Sequence, residues 1–351
     1  MASEADLSNS ERKRSATHAV TLADVGKLAG VSPQTASRAI RKPEQVSPGT
    51  LIRVKNAVAK SGYVPNLAAR NLASNKSRLV AALVPSISTS VFSETIETAV
   101  ATFAPAGYQL ILGFTNYSEE REEELVRQLL GRRPDSVLLI GTAHTEATLK
   151  MLSKANIPVV EAWGWTENPI DSLVGFSDTQ ATSELVRDLH KRNYRRFVYA
   201  GSTAEGDHRA QDRIRGYLAA HRDLFGDSIT PGFIDTAKFP LTLQSGANLY
   251  RLIREKFPDA DVALFATDIL ANGALLAALG EGTQVPEDIA IAGFGDFELS
   301  SMITPGLTTV GIPAEEIGRQ TAVHLLDRMS GKEANSARFD VGYTLIQRAS
   351  T

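Results

Sequence analysis

Two arginines four residues apart, Arg209 and Arg213, stand in the segment Asp207-His208-Arg209-Ala210-Gln211-Asp212-Arg213-Ile214-Arg215-Gly216-Tyr217. On a helix that spacing puts both guanidiniums on one face. Converging on a cleft they would suit a carboxylate, which Arg holds bidentately; left in solvent they are an ordinary basic helix end. A second constellation lies near the N-terminus, where Gln34 and Arg38 are side chains able to read adenine and guanine edges in a major groove. Other chemistries find little footing. The chain has no cysteine, which removes disulfides, thiolate nucleophiles and cysteine-ligated metals together. Its six histidines, His18, His144, His190, His208, His221 and His324, show no metal-ligand spacing. No G-x-G-x-x-G follows a strand, and there is neither a G-x-x-x-x-G-K-[ST] loop nor a G-x-S-x-G elbow. An enzyme is therefore the least favoured class, and no metal or cofactor is expected.

The elements that must position Gln34 and Arg38 are short helices. Thr21-Leu22-Ala23-Asp24 has the form of a capping box, and Leu22, Val25, Leu28 and Ala29 follow as one apolar stripe. Gly30 supplies a left-handed stop. Ser32-Pro33 starts a second helix, in which Ala36, Ala39 and Ile40 face inward while Gln34, Ser37, Arg38 and Arg41 face out. Ser47-Pro48 starts a third, with Leu51, Val54, Ala57 and Val58 as its stripe before Gly62. Two helices joined by Gly30-Val31-Ser32, the second short and polar-faced, form the helix-turn-helix pattern. A three-helix cap with no role on DNA has the same outline.

Charge divides along the same line. The formal net charge is −3, yet residues 1–78 carry 13 Lys and Arg against 5 Asp and Glu, a balance of +8, while the remaining 273 residues carry −11. A basic head on an acidic body is expected where one domain meets a polyanion and the other does not. The length of 351 residues and the 43% hydrophobic, 22% charged composition are those of a globular chain of two or three domains. No apolar run reaches the roughly 18 residues of a membrane span. The polar N-terminus lacks the apolar core of a signal peptide, so a cytoplasmic protein is expected.

The stretch TLADVGKLAGVSPQTASRAIRKPEQVSPGTLIRVKNAVAKSGYVPNLAARNL resembles the DNA-binding head of the lactose-repressor family of bacterial transcription regulators, almost without gaps. It departs at Ala36, where the family usually has Val, and at Pro33, a base-reading position. The resemblance implies that Pro33, Gln34 and Arg38 face bases in the major groove and that Thr21, Ser32, Thr35, Ser37, Asn66 and Ala69 belong to the DNA-facing set. It also makes 66–73 a hinge helix and Leu72 a wedge in the minor groove. A helix of about two turns is marginal alone and needs a partner or a kinked duplex to persist. Otherwise Leu72 is a linker leucine packing on the body.

The body alternates short apolar runs with longer helical patterns. Strand-like runs are 79–85, 109–114, 136–140, 158–161, 197–201, 262–266 and 289–293; helical ones include 92–104, 119–131, 146–155, 179–192, 244–256 and 271–281. Near-continuous apolar strands between helices mean parallel sheets covered on both faces. The count is too high for one small sheet, so two lobes are expected, crossing near 163–171 and 304–313. VPEDIAIAGFGDFELSSMITPGLTTVGIP resembles the family's effector-binding core, which has the type I periplasmic-binding-protein fold. In that fold a ligand sits between the lobes, beyond the carboxyl ends of the strands.

The resemblance puts Arg213 at the family's effector-contacting position. It places Ser86 and Phe92 on the rim of the first lobe, Glu161 and Trp163 near the crossover, and Asp268, Gly295 and Asp296 in the second lobe. Trp163 and Trp165 could stack on a sugar or pack the crossover. Gly295 stands where many members carry an Asp that binds hydroxyls of neutral sugars; its absence lowers repulsion toward an anion. GFGDFE, with PSISTSVFSE after the first strand, is similar to the gluconate-responsive branch, so a sugar acid such as gluconate is the expected effector.

The expected organisation is a flexible tail over 1–18, an all-α helix-turn-helix head over 19–64, a hinge and linker over 65–76, and an α/β two-lobed body over 77–351. The first lobe takes 77–164 and 310–333, the second 165–309 and 334–351. The chain is expected to be a repressor bound as a homodimer to a pseudo-palindromic double-stranded operator, since one short recognition helix reads too few bases. No heptad segment follows 339–347, which favours a dimer over a tetramer, and no membrane partner is expected. A repressor answering to a neutral sugar is the near alternative. A transport-type sugar-binding protein would share the body fold, but the basic head and the missing signal peptide argue against it.

Overall fold

The computed structural model describes residues 20–64, 76–86, 92–332 and 335–351. The expected tail over 1–18 and most of the expected hinge, with Asn66, Ala69 and Leu72, lie outside the described residues. The chain divides into two units, 1–75 and 76–351.

In the first unit, α1 (Leu22–Ala29), α2 (Pro33–Arg41) and α3 (Pro48–Ser61) form as their caps dictate. The Thr21 hydroxyl accepts from the Asp24 amide and the Thr21 amide donates to the Asp24 carboxylate at 2.9 Å, closing the capping box. Gly30, at φ 63°, ends α1 in the left-handed region. One turn earlier Gly26 admits the returning chain, since a Cβ there would lie 2.9 Å from the Val31 carbonyl oxygen. Ser32 caps α2 by accepting from the Thr35 amide at 3.1 Å, and Pro33 fills the first helical position. The core is small and rich in alanine, with Val25, Ala29, Ala36, Ala39, Val54 and Ala57 buried. Leu28, expected in the stripe, is 53% exposed; it lies about 100° round the helix from Ala29, off the inward face.

The second unit is two α/β lobes. The first sheet contains β1 (Leu79–Val84), β2 (Gln109–Phe114), β3 (Ser136–Ile140), β4 (Val159–Ala162), β5 (Ser172–Gly175) and, from near the chain's end, Arg338–Asp340. Its order is Arg338–Asp340, β5, β4, β3, β1, β2, all parallel. Helices α4 (Ser93–Phe103), α5 (Glu119–Leu130), α6 (Glu146–Ala155) and Ala314–Ser330 cover it. The second lobe interleaves α7 (Asp178–Lys191), β6 (Phe197–Gly201), α8 (His208–Phe225), β7 (Gly232–Asp235), α9 (Leu243–Lys256), β8 (Val262–Phe265), α10 (Asp268–Gly280), β9 (Ala290–Ala292) and α11 (Glu298–Met302). Its parallel sheet runs β7-β6-β8-β9. β10 (Thr309–Gly311) lies beside β9 through bridges at Thr308 and Gly311. The last elements in chain order are α12 (Ala314–Ser330), β11 (Arg338–Asp340) and β12 (Thr344–Ile346), with β12 antiparallel to β10.

Three expectations need correction. β5 and β11 belong to the first sheet, so the first lobe runs to about 176 and takes back 312–341. β5 escapes sequence reading because only Leu173 and Val174 form its apolar run. The single run expected over 339–347 is two strands, broken where Gly342 adopts φ 66°. The chain therefore crosses between lobes three times, near 176, 312 and 342. The three segments lie side by side: the Val341 amide donates to the Gly175 carbonyl at 2.9 Å, and Thr344 pairs with Gly311.

Candidate functional site

On the head, Pro33, Gln34 and Arg38 project from α2 into solvent, and Ser37 and Thr35 are half-buried. The side chains of Gln34 and Arg38 make no hydrogen bond or ion pair among the described residues, so their donors are free for a partner. The Ser32 and Thr21 hydroxyls are already engaged in capping. The arrangement offers one polar, basic helical face on a rigid three-helix support.

In the body, a cavity of about 710 Å³ opens between the carboxyl ends of the two sheets. One wall is aromatic. Phe92 meets Trp163 edge-on with centroids 5.1 Å apart, Trp163 meets Phe176 at 6.3 Å, and Phe176 stacks on Phe294 at 6.4 Å. Trp163 is held by its indole N–H, which donates to Thr95 at 3.0 Å. Trp165 lies away from the cavity, its indole donating to Glu167.

α8 delivers Arg209 and Arg213 to this wall on one helical face, as their spacing requires. The Arg209 Cζ lies 4.6 Å from the Phe92 ring centroid and the Arg213 Cζ 4.8 Å from that of Phe294. Each guanidinium lies over a ring face, where cation–π attraction holds it. Arg209 Nη1 and Arg213 Nε are buried without a hydrogen-bond partner. Facing them is Asp178, the first residue of α7, with Oδ1 3.7 Å from Arg213 Nε. Burial pushes the Asp178 carboxyl up to about 6, against the pull of Arg213 and Arg209 and with Asp207 adding to the rise. Burial opposes the Arg213 charge, but Asp178, Tyr199, Asp207 and Tyr117 more than offset it and hold its pKa above the ordinary value.

Sequence reasoning missed Asp178. Its only local signal is the helix start Ser177-Asp178, where Ser177 accepts from the Gln180 amide. It also missed Tyr117, which lines the cavity and whose pKa is raised chiefly by burial. Gly295 and Asp296 do line the cavity. Gly295 is required by its backbone, at φ 132°, and a Cβ there would lie 2.8 Å from the Phe297 ring. Asp296 is paired with Arg348 at 2.6 Å.

Three expected effector residues do not reach the cavity. Glu161 alternates with Val160 and Ala162 along β4, so it faces away from the interlobe core. There it accepts from the Ile170 amide and lies 3.4 Å from His144, an ion contact rather than a hydrogen bond. Asp268 turns inward and accepts from Ser300, Thr309 and the Phe297 amide at 2.6, 2.6 and 3.0 Å, tying the Phe294–Phe297 loop to α10. Ser86 borders a separate depression beside Leu112, Gly113 and Phe114, because the chain leaves β1 on the side of β2.

The lobes also touch beside Tyr117 and Gly206, outside the cavity. His208 of α8 meets Glu119 of α5 at 2.7 Å. The arrangement can enclose a small molecule with one anionic group against the two arginines and its apolar edges against the aromatic wall.

Comparison with known proteins agrees with both parts. Residues 21–66 match the model of bacterial regulatory proteins of the lacI family, and residues 186–351 match a periplasmic binding protein-like domain. The chain is 36% identical to the HTH-type transcriptional regulator GntR of Pseudomonas aeruginosa over 98% of its own length and 99% of the relative's. It is 32% identical to the regulator of the same name in Escherichia coli, over 92% and 96%. A lacI-family transcriptional regulator from Silicibacter pomeroyi superposes with a TM-score of 0.87 at 32% identity, over 94% of this chain and 99% of that one. The transcription regulator GntR from Chromobacterium violaceum does so with a TM-score of 0.72 at 34% identity, over 78% and 98%.

Proposed function

This chain belongs to the lacI family of bacterial regulatory proteins and is a DNA-binding transcriptional regulator rather than an enzyme, and we propose that it is a cytoplasmic repressor released from its operator by a sugar acid such as gluconate. The observation that carries the effector reading is the pair of stacked guanidiniums, Arg209 and Arg213, with buried donors unspent in the interlobe cavity. Buried donors without acceptors are costly, and a bound carboxylate removes that cost. A neutral sugar offers these donors hydroxyl oxygens only, a weaker match than a carboxylate. The loop Gly293-Phe294-Gly295-Asp296-Phe297-Glu298, similar to that of the gluconate-responsive branch, supports the same reading.

In this reading Pro33, Gln34 and Arg38 meet base edges, with Thr21, Ser32, Thr35 and Ser37 beside them. Asn66, Ala69 and Leu72 act in the minor groove at the centre of a pseudo-palindrome, and the chain binds as a homodimer. A thermal-shift screen of sugar acids against matched neutral sugars tests the effector, because a ligand of the folded state raises apparent stability by mass action. Gluconate should raise the melting temperature and release a labelled operator. Stabilisation by glucose and not by gluconate would overturn the sugar-acid reading.

A further inference from the structure

Asp178 has a place in the cavity that counter-charge alone does not explain. Its side chain is 2% exposed, Oδ1 faces Arg213 Nε at 3.7 Å, and Oδ2 is buried, without a hydrogen-bond partner, in the wall of the cavity. An ionised carboxylate only accepts hydrogen bonds. An unspent acceptor at this depth calls for a donor on the ligand.

We propose that Asp178 is a specificity-determining residue whose Oδ2 accepts the ligand hydroxyl next to the carboxylate held by Arg213, so that the cavity selects 2-hydroxy sugar acids over their 2-keto and 2-deoxy counterparts. The inference rests on the sugar-acid reading and sharpens it. Asp178 and Arg213 are neighbours, so the ligand groups they bind are neighbours too, a carboxylate and the hydroxyl on the adjacent carbon. A keto oxygen at that carbon would set acceptor against acceptor, and a methylene would leave Oδ2 as unpartnered as before. The ligand carboxylate is met by the unpartnered N–H groups of Arg209 and Arg213, while Asp207 accepts from the Ala210 amide as the cap of α8.

Titration calorimetry of the full chain with gluconate, 2-ketogluconate and 2-deoxygluconate tests the proposal. Wild type should bind gluconate at least tenfold more tightly than either analogue, as sites built to bond a hydroxyl do. Asp178→Asn, whose amide can donate to a keto oxygen, should narrow or reverse the preference over the keto acid and leave the deoxy acid weak. Equal affinities in wild type overturn the proposal without any variant being needed. An equal weakening of all three ligands in Asp178→Asn would make the residue a counter-ion only and overturn it as well. If no sugar acid binds and a neutral sugar does, this inference falls together with the reading on which it rests; discrimination lost while gluconate still binds removes this inference alone.

Discussion

Gly206, in the turn that leads into α8, packs so tightly on the Tyr117 carbonyl of the opposite lobe that a β-carbon on it would overlap that oxygen. Its φ of 83° is a second reason for glycine. Two residues on, the His208–Glu119 contact closes the same seam. Glycine at 206 thus permits the lobes to approach as closely as they do.

Gly206→Ala should therefore hold the lobes apart at this corner. Overlap of this kind costs ~1–3 kcal/mol, so effector affinity should fall by about tenfold or more, with the body still folded. Calorimetric titration with gluconate checks it. Unchanged affinity would show that the close approach plays no part in holding the ligand.

Arg213→Gln removes the charge while keeping some donor capacity and volume. Truncating one partner of a buried charge pair costs ~2–5 kcal/mol, or about 30- to 5000-fold in affinity. The gluconate concentration that releases a fluorescent operator should rise by at least the lower factor. Effector-free operator binding, read by anisotropy in the same titration, distinguishes loss of the site from loss of the fold.

His144 gives the body a pH dependence of its own. Burial alone would lower its pKa, but the hydrogen bond to Glu122 at 2.5 Å and the charges of Glu122 and Glu161 raise it to about 9. A folded-state pKa above the unfolded value of 6.5 means that the stabilisation is fully present below pH 6.5 and is lost as pH rises through 9. The shift corresponds to about 3 kcal/mol. The stability difference between wild type and His144→Gln, from urea midpoints at several pH values, should shrink between pH 6.5 and 9.5. A difference independent of pH would contradict the charged assignment.

Operator binding should depend steeply on salt. Each neutralised phosphate contributes about −0.9 to the slope of log K against log salt concentration, so two heads of charge +8 should give a slope of several units. Arg38→Ala should cost ~1–3 kcal/mol on the operator, relax preference at one base position and leave non-specific binding nearly unchanged. A slope near zero on a palindromic operator would overturn the DNA-facing assignment of α2.

The head was legible because its determinants are local. Thr21 with Asp24, Ser32 with Pro33 and the left-handed Gly30 each act within one turn, and the structure uses them as the spacing predicts. Arg209 and Arg213 were legible for the same reason, since one helical face follows from four residues of separation. Asp178 was not, because its importance comes from burial and from charge partners far along the chain, Arg213 and Arg209. Glu161 and Asp268 were misplaced because proximity to a strand end or helix start does not say which way a side chain turns. Strand parity turned the first toward His144, and Ser300 and Thr309 drew the second inward.

The three neighbouring crossings have a mechanical consequence. A single strap would let one lobe swivel and twist freely on the other. Three straps in a row behave like a door hung on a long hinge: rotation about the line through them is soft, while twist and sliding stretch at least one strap and its hydrogen bonds. The motion open to this body is then a single swing, and because Phe176, Ile312 and Gly342 of the three straps themselves line the cavity, a molecule bound there is in contact with the hinge line as well as with both leaves.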